Sequence, residues 1–141
     1  MVSPVFSLRA IPAAGAALLL LLVGCAPQQQ AAAPAPEIGR YLVYFNEFSA
    51  FLSSDARNVI AEAAKYAKEN GAKTIHIEGR ASATGSSAAN QKLTETRTQV
   101  VYDELTRDGV NPTIISQTPM GQVTTTDTSV MDRRVDIVLL K

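Results

Sequence analysis

Residues 90–109, NQKLTETRTQVVYDELTRDG, have the pattern of a long amphipathic helix. The length of this stretch and the recurrence of its apolar residues predict a helix over residues 90–108. Gly109 ends this helix, and Pro112 lies just beyond its end. The predicted buried stripe consists of Leu93, Val100, Val101 and Leu105. A helix with one apolar stripe needs a second layer of structure to bury that stripe.

Strand-like segments occur on both sides of this helix. Residues 41–45 and 74–78 precede it, residues 114–115 and 135–140 follow it, and each is a short run rich in β-branched or other apolar residues. The polar residues 118–131 are predicted to form a loop. Strands and helices in this order favour a two-layer domain of α/β or α+β class.

A second helix is predicted between the first two strands. It begins after Ser53 or Ser54, which can cap it, and ends at Gly71. Its apolar face consists of Ala56, Val59, Ile60, Ala63 and Ala67. In the strand that follows, alternation turns Ile75 inward and His76 outward. Since no second metal ligand lies at suitable spacing, we assign His76 no role.

One charged residue, Arg97, lies within the apolar stripe of the long helix. The aliphatic part of its side chain can lie along the apolar surface while the guanidinium group reaches water, or the guanidinium can form a structural ion pair with Glu78 or Asp136. Alternatively, its guanidinium can form an anion-binding site. The residues alone leave these interpretations open.

Four segments match a known family in the same order. They are VYFNEFSAFL at residues 43–52, IEGRASATG at 77–85, NQKLTETR at 90–97 and DRRVDI at 132–137. With the element order, they resemble the OmpA-like peptidoglycan-binding domain over nearly all of residues 41–141. The resemblance implies an α+β fold, a βαβαββ two-layer sandwich whose mixed sheet carries two helices on one face.

The resemblance also implies a ligand, the diaminopimelate of the peptidoglycan stem peptide. Arg97 matches the family's helix arginine, which takes the ligand's carboxylate; a guanidinium can donate two charge-assisted hydrogen bonds to it. Ser82 stands where the family has the aspartate that takes the ammonium, and Arg80 where it has a histidine. Arg134, in the closing motif, is a further candidate ligand-binding residue.

Three functional hypotheses follow from the altered loop. In the first, Ser82, Thr84 or backbone carbonyls replace the aspartate, and the domain still binds peptidoglycan. In the second, Arg80 and Arg97 form a two-arginine clamp for a ligand that offers only anionic groups. In the third, the pocket is degenerate and the domain binds proteins of an envelope complex. Enzymatic activity is not expected, since the sequence offers no catalytic nucleophile with its base, and no cofactor or metal site is predicted.

The first residues indicate export. Arg9, an apolar run over residues 11–23 and small residues before Cys25 are typical of a signal peptide over 1–24, and the run is shorter than the about 20 residues that cross a bilayer. LVGC before the linker resembles a lipobox, which implies that Cys25 is lipidated.

Three parts of the chain are thus predicted: the signal peptide, a lipidated Cys25 with a disordered Ala/Pro/Gln linker over residues 25–38, and the domain over 39–141. Ala26 after the cysteine implies sorting to the outer membrane, with the domain facing the periplasm. The mature chain has 12 basic and 13 acidic residues, a net charge of −1, so nucleic acid is not an expected partner.

Overall fold

The computed structural model describes residues 34–123 and 130–141. The predicted signal peptide, Cys25 and most of the predicted linker therefore lie outside the described residues. Within the described ranges, no helix has the length and apolar character needed to cross a membrane.

The described residues form four strands and two helices. In chain order they are β1 (Glu37–Tyr44), α1 (Ser54–Glu69), β2 (Thr74–Ala81), α2 (Ser87–Arg107), β3 (Ile115–Gln122) and β4 (Arg134–Leu140), with a 3₁₀ turn at Pro112–Ile114 before β3. The sheet order is β1-β4-β2-β3, in which β4 is antiparallel to both neighbours and β2 is parallel to β3. The predicted βαβαββ order and mixed sheet are confirmed.

Both helices pack on the same face of the sheet. Inward residues of three strands, among them Val43, Ile77 and Ile137, form one buried cluster with Ile60 of α1 and Val101 of α2. This is the expected consequence of period-two alternation in the strands meeting an apolar stripe on each helix. The predicted two-layer sandwich is confirmed.

The helix ends follow the capping residues. Ser53 accepts a hydrogen bond from the Ala56 amide, and Ser86 accepts one from the Ala89 amide. Ser86 explains why α2 begins three residues before the predicted start, since a side-chain acceptor satisfies one of the free amides of the first turn. Gly109 adopts a φ of 86° and ends α2 as predicted.

Strands β1, β2 and β3 are longer than the sequence indicated, and β1 and β3 extend into the predicted linker and loop. β3 includes residues 118–122, so the predicted loop over 118–131 is wrong for those residues; parallel pairing with β2 supplies their hydrogen bonds. Residues 124–129 lie outside the described residues. β1 begins at Glu37, inside the predicted linker, because Glu37 pairs with Leu140 and forms an ion pair with Arg40.

The buried face of α2 differs from its predicted stripe. Val101 and Leu105 are buried as expected, but Leu93 and Val100 are only partly buried. The first half of α2 instead buries the polar residues Asn90, Thr94, Arg97 and Thr98. This half lies over the end of β2 and the loops beside it, where hydrogen-bonding groups of the backbone need polar partners.

Candidate ligand-binding cleft

A small cleft lies between the β1–α1 loop, residues 45–53, and the β2–α2 loop, residues 82–86, beside the first half of α2. It is lined by Glu47, Phe48, Ala81, Ser82, Thr84, Asn90, Leu93, Arg97 and Arg133. The enclosed volume is about 10 Å³, the space that about one water molecule needs. A larger ligand therefore requires one of the loops to move.

Arg97 is completely buried beneath this cleft. Its Nε donates to the carbonyl of Ser49 at 2.8 Å and its Nη2 to that of Asn46 at 2.9 Å, while Nη1 is 3.5 Å from the carbonyl of Arg80. The guanidinium also lies over the ring of Phe45, 5.1 Å from its centroid. These contacts hold the β1–α1 loop to α2.

The ion pair predicted for Arg97 as a structural residue is not formed. Glu78 and Asp136 lie on the other face of the sheet, where alternation along β2 and β4 places them. Among residues 34–123 and 130–141, no carboxylate lies within salt-bridge distance of Arg97. The charge of Arg97, below the cleft, is therefore not neutralised by any carboxylate of the described ranges.

Arg133 is a second cation at the cleft that the sequence analysis missed. It precedes β4 and shares the helix-facing side with Val135, and its Nε is buried without a hydrogen-bond partner among the described residues. The sequence held one signal for Arg133: adjacent residues at the start of a strand point to opposite faces, so Arg133 faces the loops when Arg134 faces away from them.

Two influences act on Arg97 in the same direction. Burial, and to a smaller extent the positive charge of Arg133, lower the pKa of Arg97 to about 10. At neutral pH Arg97 is still protonated, so the cleft presents two positive charges. An anion bound between them would relieve both their repulsion and the unsatisfied donor of Arg133.

Two other predicted ligand-binding residues lie on the uncovered face of the sheet. Arg134 Nε is 2.7 Å from Asp136 Oδ1, and Arg80 Nη2 is 3.7 Å from Asp136 Oδ2 and 3.4 Å from Glu78 Oε2. The two-arginine clamp of Arg80 and Arg97 is therefore not formed, because Arg80 follows Glu78 at period two and shares its face. Only the Arg80 carbonyl reaches Arg97.

Ser82 and Thr84 do lie at the cleft, as predicted. Their hydroxyls are 2.9 Å apart, and Ser82 is buried. Asn90 Nδ2 donates to the carbonyls of both residues, at 3.1 Å for Ser82 and 2.9 Å for Thr84. The amide of Asn90 thus fixes the β2–α2 loop on the first turn of α2.

The other wall of the cleft is the turn at Glu47 and Phe48. Phe48 has a φ of 52°, the left-handed region that residues other than glycine rarely adopt, and its ring is 70% exposed. Phe48 also borders a second depression of about 220 Å³, which shares Thr84, Asn90 and Leu93 with the cleft. The two depressions are therefore neighbours, and Phe48 lines both.

No metal site is found in the described part of the chain, where His, Cys, Asp and Glu residues form no suitable cluster. His76 lies on the uncovered face as predicted, with Nδ1 2.7 Å from the hydroxyl of Ser116.

Comparison with known proteins places this chain in a family and a fold. The sequence model of the OmpA family matches residues 44–134. No curated protein sequence matches the chain. The cleft residues of both loops, of α2 and of the start of β4 fall within the matched range.

Several solved structures share the fold at low sequence identity. The OmpA-like domain of FopA1 from Francisella tularensis subsp. tularensis SCHU S4 is 21% identical with a TM-score of 0.62, over 72% of this chain and 73% of that one. The peptidoglycan-associated lipoprotein from Burkholderia pseudomallei is 23% identical with a TM-score of 0.63, over 70% and 89%. The C-terminal domain of Helicobacter pylori MotB is 22% identical with a TM-score of 0.62, over 71% and 84%.

Proposed function

The chain belongs to the OmpA family, and on that premise we propose that its domain binds peptidoglycan non-covalently at the cleft beneath the two loops. The observation that carries the proposal is the pair of guanidinium groups of Arg97 and Arg133, which have no carboxylate partner among the described residues. Such a pair fits a carboxylate of the stem peptide, because each guanidinium can donate charge-assisted hydrogen bonds to it.

The rest of the proposal concerns the anchor. Lipidation of Cys25 would hold the mature chain in the outer membrane, and the linker would let the domain reach the wall in the periplasm. A solved structure of similar fold is, by its name, a peptidoglycan-associated lipoprotein, which combines the same two features. The function would be to tether two layers of the envelope. No catalytic activity is expected, because the described residues that line the cleft include no nucleophile–base pair.

Binding of the full-length protein, purified in detergent, to diaminopimelate-type peptidoglycan tests the proposal in a pull-down assay. Arg133→Gln is the informative variant, since the buried Nε of Arg133 has no hydrogen-bond partner within residues 34–123 and 130–141 for the fold to lose. We expect at least a 10-fold loss of affinity, in keeping with the about 1.5–3 kcal/mol of a hydrogen bond to a charged group. Lys73→Gln, which removes the same charge from an exposed residue just before β2, is the control.

Arg97→Lys complements this variant. Lysine keeps the positive charge but cannot reach the carbonyls of Asn46 and Ser49 together in the planar geometry of arginine. We expect it to abolish binding and to lower the melting temperature. Wild-type protein that fails to bind the wall while folded would overturn the proposal and favour the protein-binding alternative.

A further inference from the structure

A turn at residues 130–133 leads into β4 and brings Arg133 to the cleft. The backbone amide of Arg133 donates to the carbonyl of Val130 at 3.2 Å, and the Arg133 carbonyl accepts from the amide of Phe45 at 2.9 Å. The buried Nε of Arg133, in contrast, has no hydrogen-bond partner among the described residues. No hydrogen bond at Nε fixes the guanidinium, so its position depends on the backbone of the turn.

Apolar burial does little to fix this turn. Val130 is 52% exposed and Met131 is 40% exposed. The hydroxyl of Tyr44 is 4.0 Å from the Met131 sulfur, which is a weak acceptor. Segments with little apolar burial open at a low cost in free energy unless polar contacts hold them. The polar contacts of the turn therefore decide how well its conformation is maintained.

Arg134 makes such a contact from the uncovered face of the sheet. Its Nη1 donates to the carbonyl of Met131 and its Nε to Asp136 Oδ1, the latter at 2.7 Å. The Asp136 side chain is only 3% exposed, and its Oδ2 is 3.5 Å from Arg40 Nη1. The planar guanidinium of Arg134 thus joins the turn to a carboxylate that is held within the sheet.

We propose that Arg134 is a positioning residue for the cleft: by binding the Met131 carbonyl it holds the turn, and thereby keeps the Arg133 guanidinium at the cleft. This inference rests on the proposed function, in which Arg133 binds a carboxylate of the wall, and adds a residue that the ligand does not touch. Adjacent residues of a strand point to opposite faces, so Arg134 acts on Arg133 through the backbone. Direct contact of Arg134 with the ligand, the role expected from the sequence, does not fit its place on the uncovered face.

Exchange of the Arg133 Nε–H with solvent tests this role without any ligand. This group is buried, so nuclear magnetic resonance of the full-length protein in detergent should show it as a slowly exchanging signal. We expect Arg134→Gln to speed the exchange by about 10-fold or more, because the turn opens more often. Arg40→Gln is the control, since Arg40 also contacts Asp136 but forms its ion pairs within the described ranges only with Asp136 and Glu37. Unchanged exchange in Arg134→Gln would overturn the proposal.

Arg134→Lys separates the contact with the turn from the ion pair. Lysine can still pair with the Asp136 carboxylate, but it lacks the planar fork that reaches the Met131 carbonyl at the same time. We expect this variant to keep most of the stability of the wild type and yet to speed exchange at Arg133 Nε, as Arg134→Gln does. Exchange as slow as in the wild type would overturn the role of the Met131 contact.

Binding to peptidoglycan then shows whether Arg134 acts through Arg133. In the pull-down assay we expect Arg134→Gln to weaken binding by about 3- to 10-fold in the wild-type background and to have no further effect in Arg133→Gln. An equal further loss in Arg133→Gln would overturn the proposal, because a residue that only lowers stability weakens both proteins alike. Wild-type protein that fails to bind the wall, with exchange results as expected, would overturn the proposed function and leave Arg134 as the residue that positions Arg133.

Discussion

Arg97 illustrates how a single buried residue can serve both the fold and the cleft. A buried guanidinium is costly unless its donors are satisfied, and here backbone carbonyls of the β1–α1 loop satisfy them instead of a carboxylate. Neutral carbonyl partners stabilise the arginine without cancelling its charge. The loop is therefore ordered by the same group that keeps a positive potential beneath the cleft.

Because Gly79 has no side chain, α2 can pack closely against β2 at this position. A Cβ atom at Gly79 would lie 2.6 Å from Thr98 Cγ2 and 3.1 Å from the carbonyl of Thr94. We expect Gly79→Ala to lower the free energy of unfolding by about 1–3 kcal/mol, the usual effect of overpacking. Urea denaturation measures it, with Gly39→Ala as the control because its nearest contacts are at 3.4 Å.

A second substitution, at Thr98, tests whether the contact with Thr98 causes the loss of stability in Gly79→Ala. Thr98→Ser removes Cγ2 but keeps a hydroxyl that can donate to the Glu95 carbonyl, as Thr98 does. The double variant should recover part of the stability that Gly79→Ala loses. Additive losses in the double variant would contradict the assignment of the strain to Thr98.

At the residue scale, sequence reasoning found Arg97, Ser82 and Thr84 because they lie in segments with a recognisable pattern. It missed Arg133, since the motif alone does not say which of two adjacent arginines faces the loops. It also did not predict that the turn at Glu47 and Phe48, where Phe48 is left-handed, forms one wall of the cleft. A non-glycine residue in that conformation has no sequence signal.

At the scale of elements, the first half of α2 acts as a polar platform for the β2–α2 loop. Asn90, Thr94 and Thr98 are buried there, and Thr94 Oγ1 accepts a hydrogen bond from the Gly121 amide while Asn90 binds the loop carbonyls. Each buried hydrogen-bonding group thereby has a partner. The helix joins the loop to β3 as well as to the sheet core.

Replacement of Asn90 by aspartate tests this platform. The two side chains have nearly the same shape, but aspartate has no NH₂ donor and turns a negative charge toward the carbonyls of Ser82 and Thr84. We expect a loss of about 2–3 kcal/mol in stability and faster amide exchange over residues 82–86. Asn58→Asp, exposed on α1, should change neither quantity appreciably. Unchanged exchange in the loop would contradict the role of Asn90.

Element types were well predicted and their limits less so. The existence and order of α1 and α2 follow from local residues, as do the cap Ser53 and the stop at Gly109, whereas Ser86, the N-cap of α2, was not predicted. The extent of β3 does not, because residues 118–122, TPMGQ, contain proline and glycine and become a strand only by pairing with β2. Pro119 is accommodated there since β3 is an edge strand.

At the scale of the whole chain, the anchor and the cleft belong to different parts of the sequence. The lipid acceptor proposed at Cys25 precedes β1 by a segment rich in Ala, Pro and Gln, and the cleft lies where both loops meet α2. A tether between two envelope layers requires both attachments. Each should therefore be removable without loss of the other.

Fractionation of cells that produce single variants tests this separation. Cys25→Ser should leave the membrane fraction, because the chain would lose its acyl groups, yet should still sediment with purified wall sacculi through Arg97 and Arg133. Arg133→Gln should show the reverse, remaining with the outer membrane on a density gradient while its binding to sacculi falls. If Cys25→Ser abolished wall binding by folded protein, the wall contact would depend on the membrane, and the cleft would not be the attachment point.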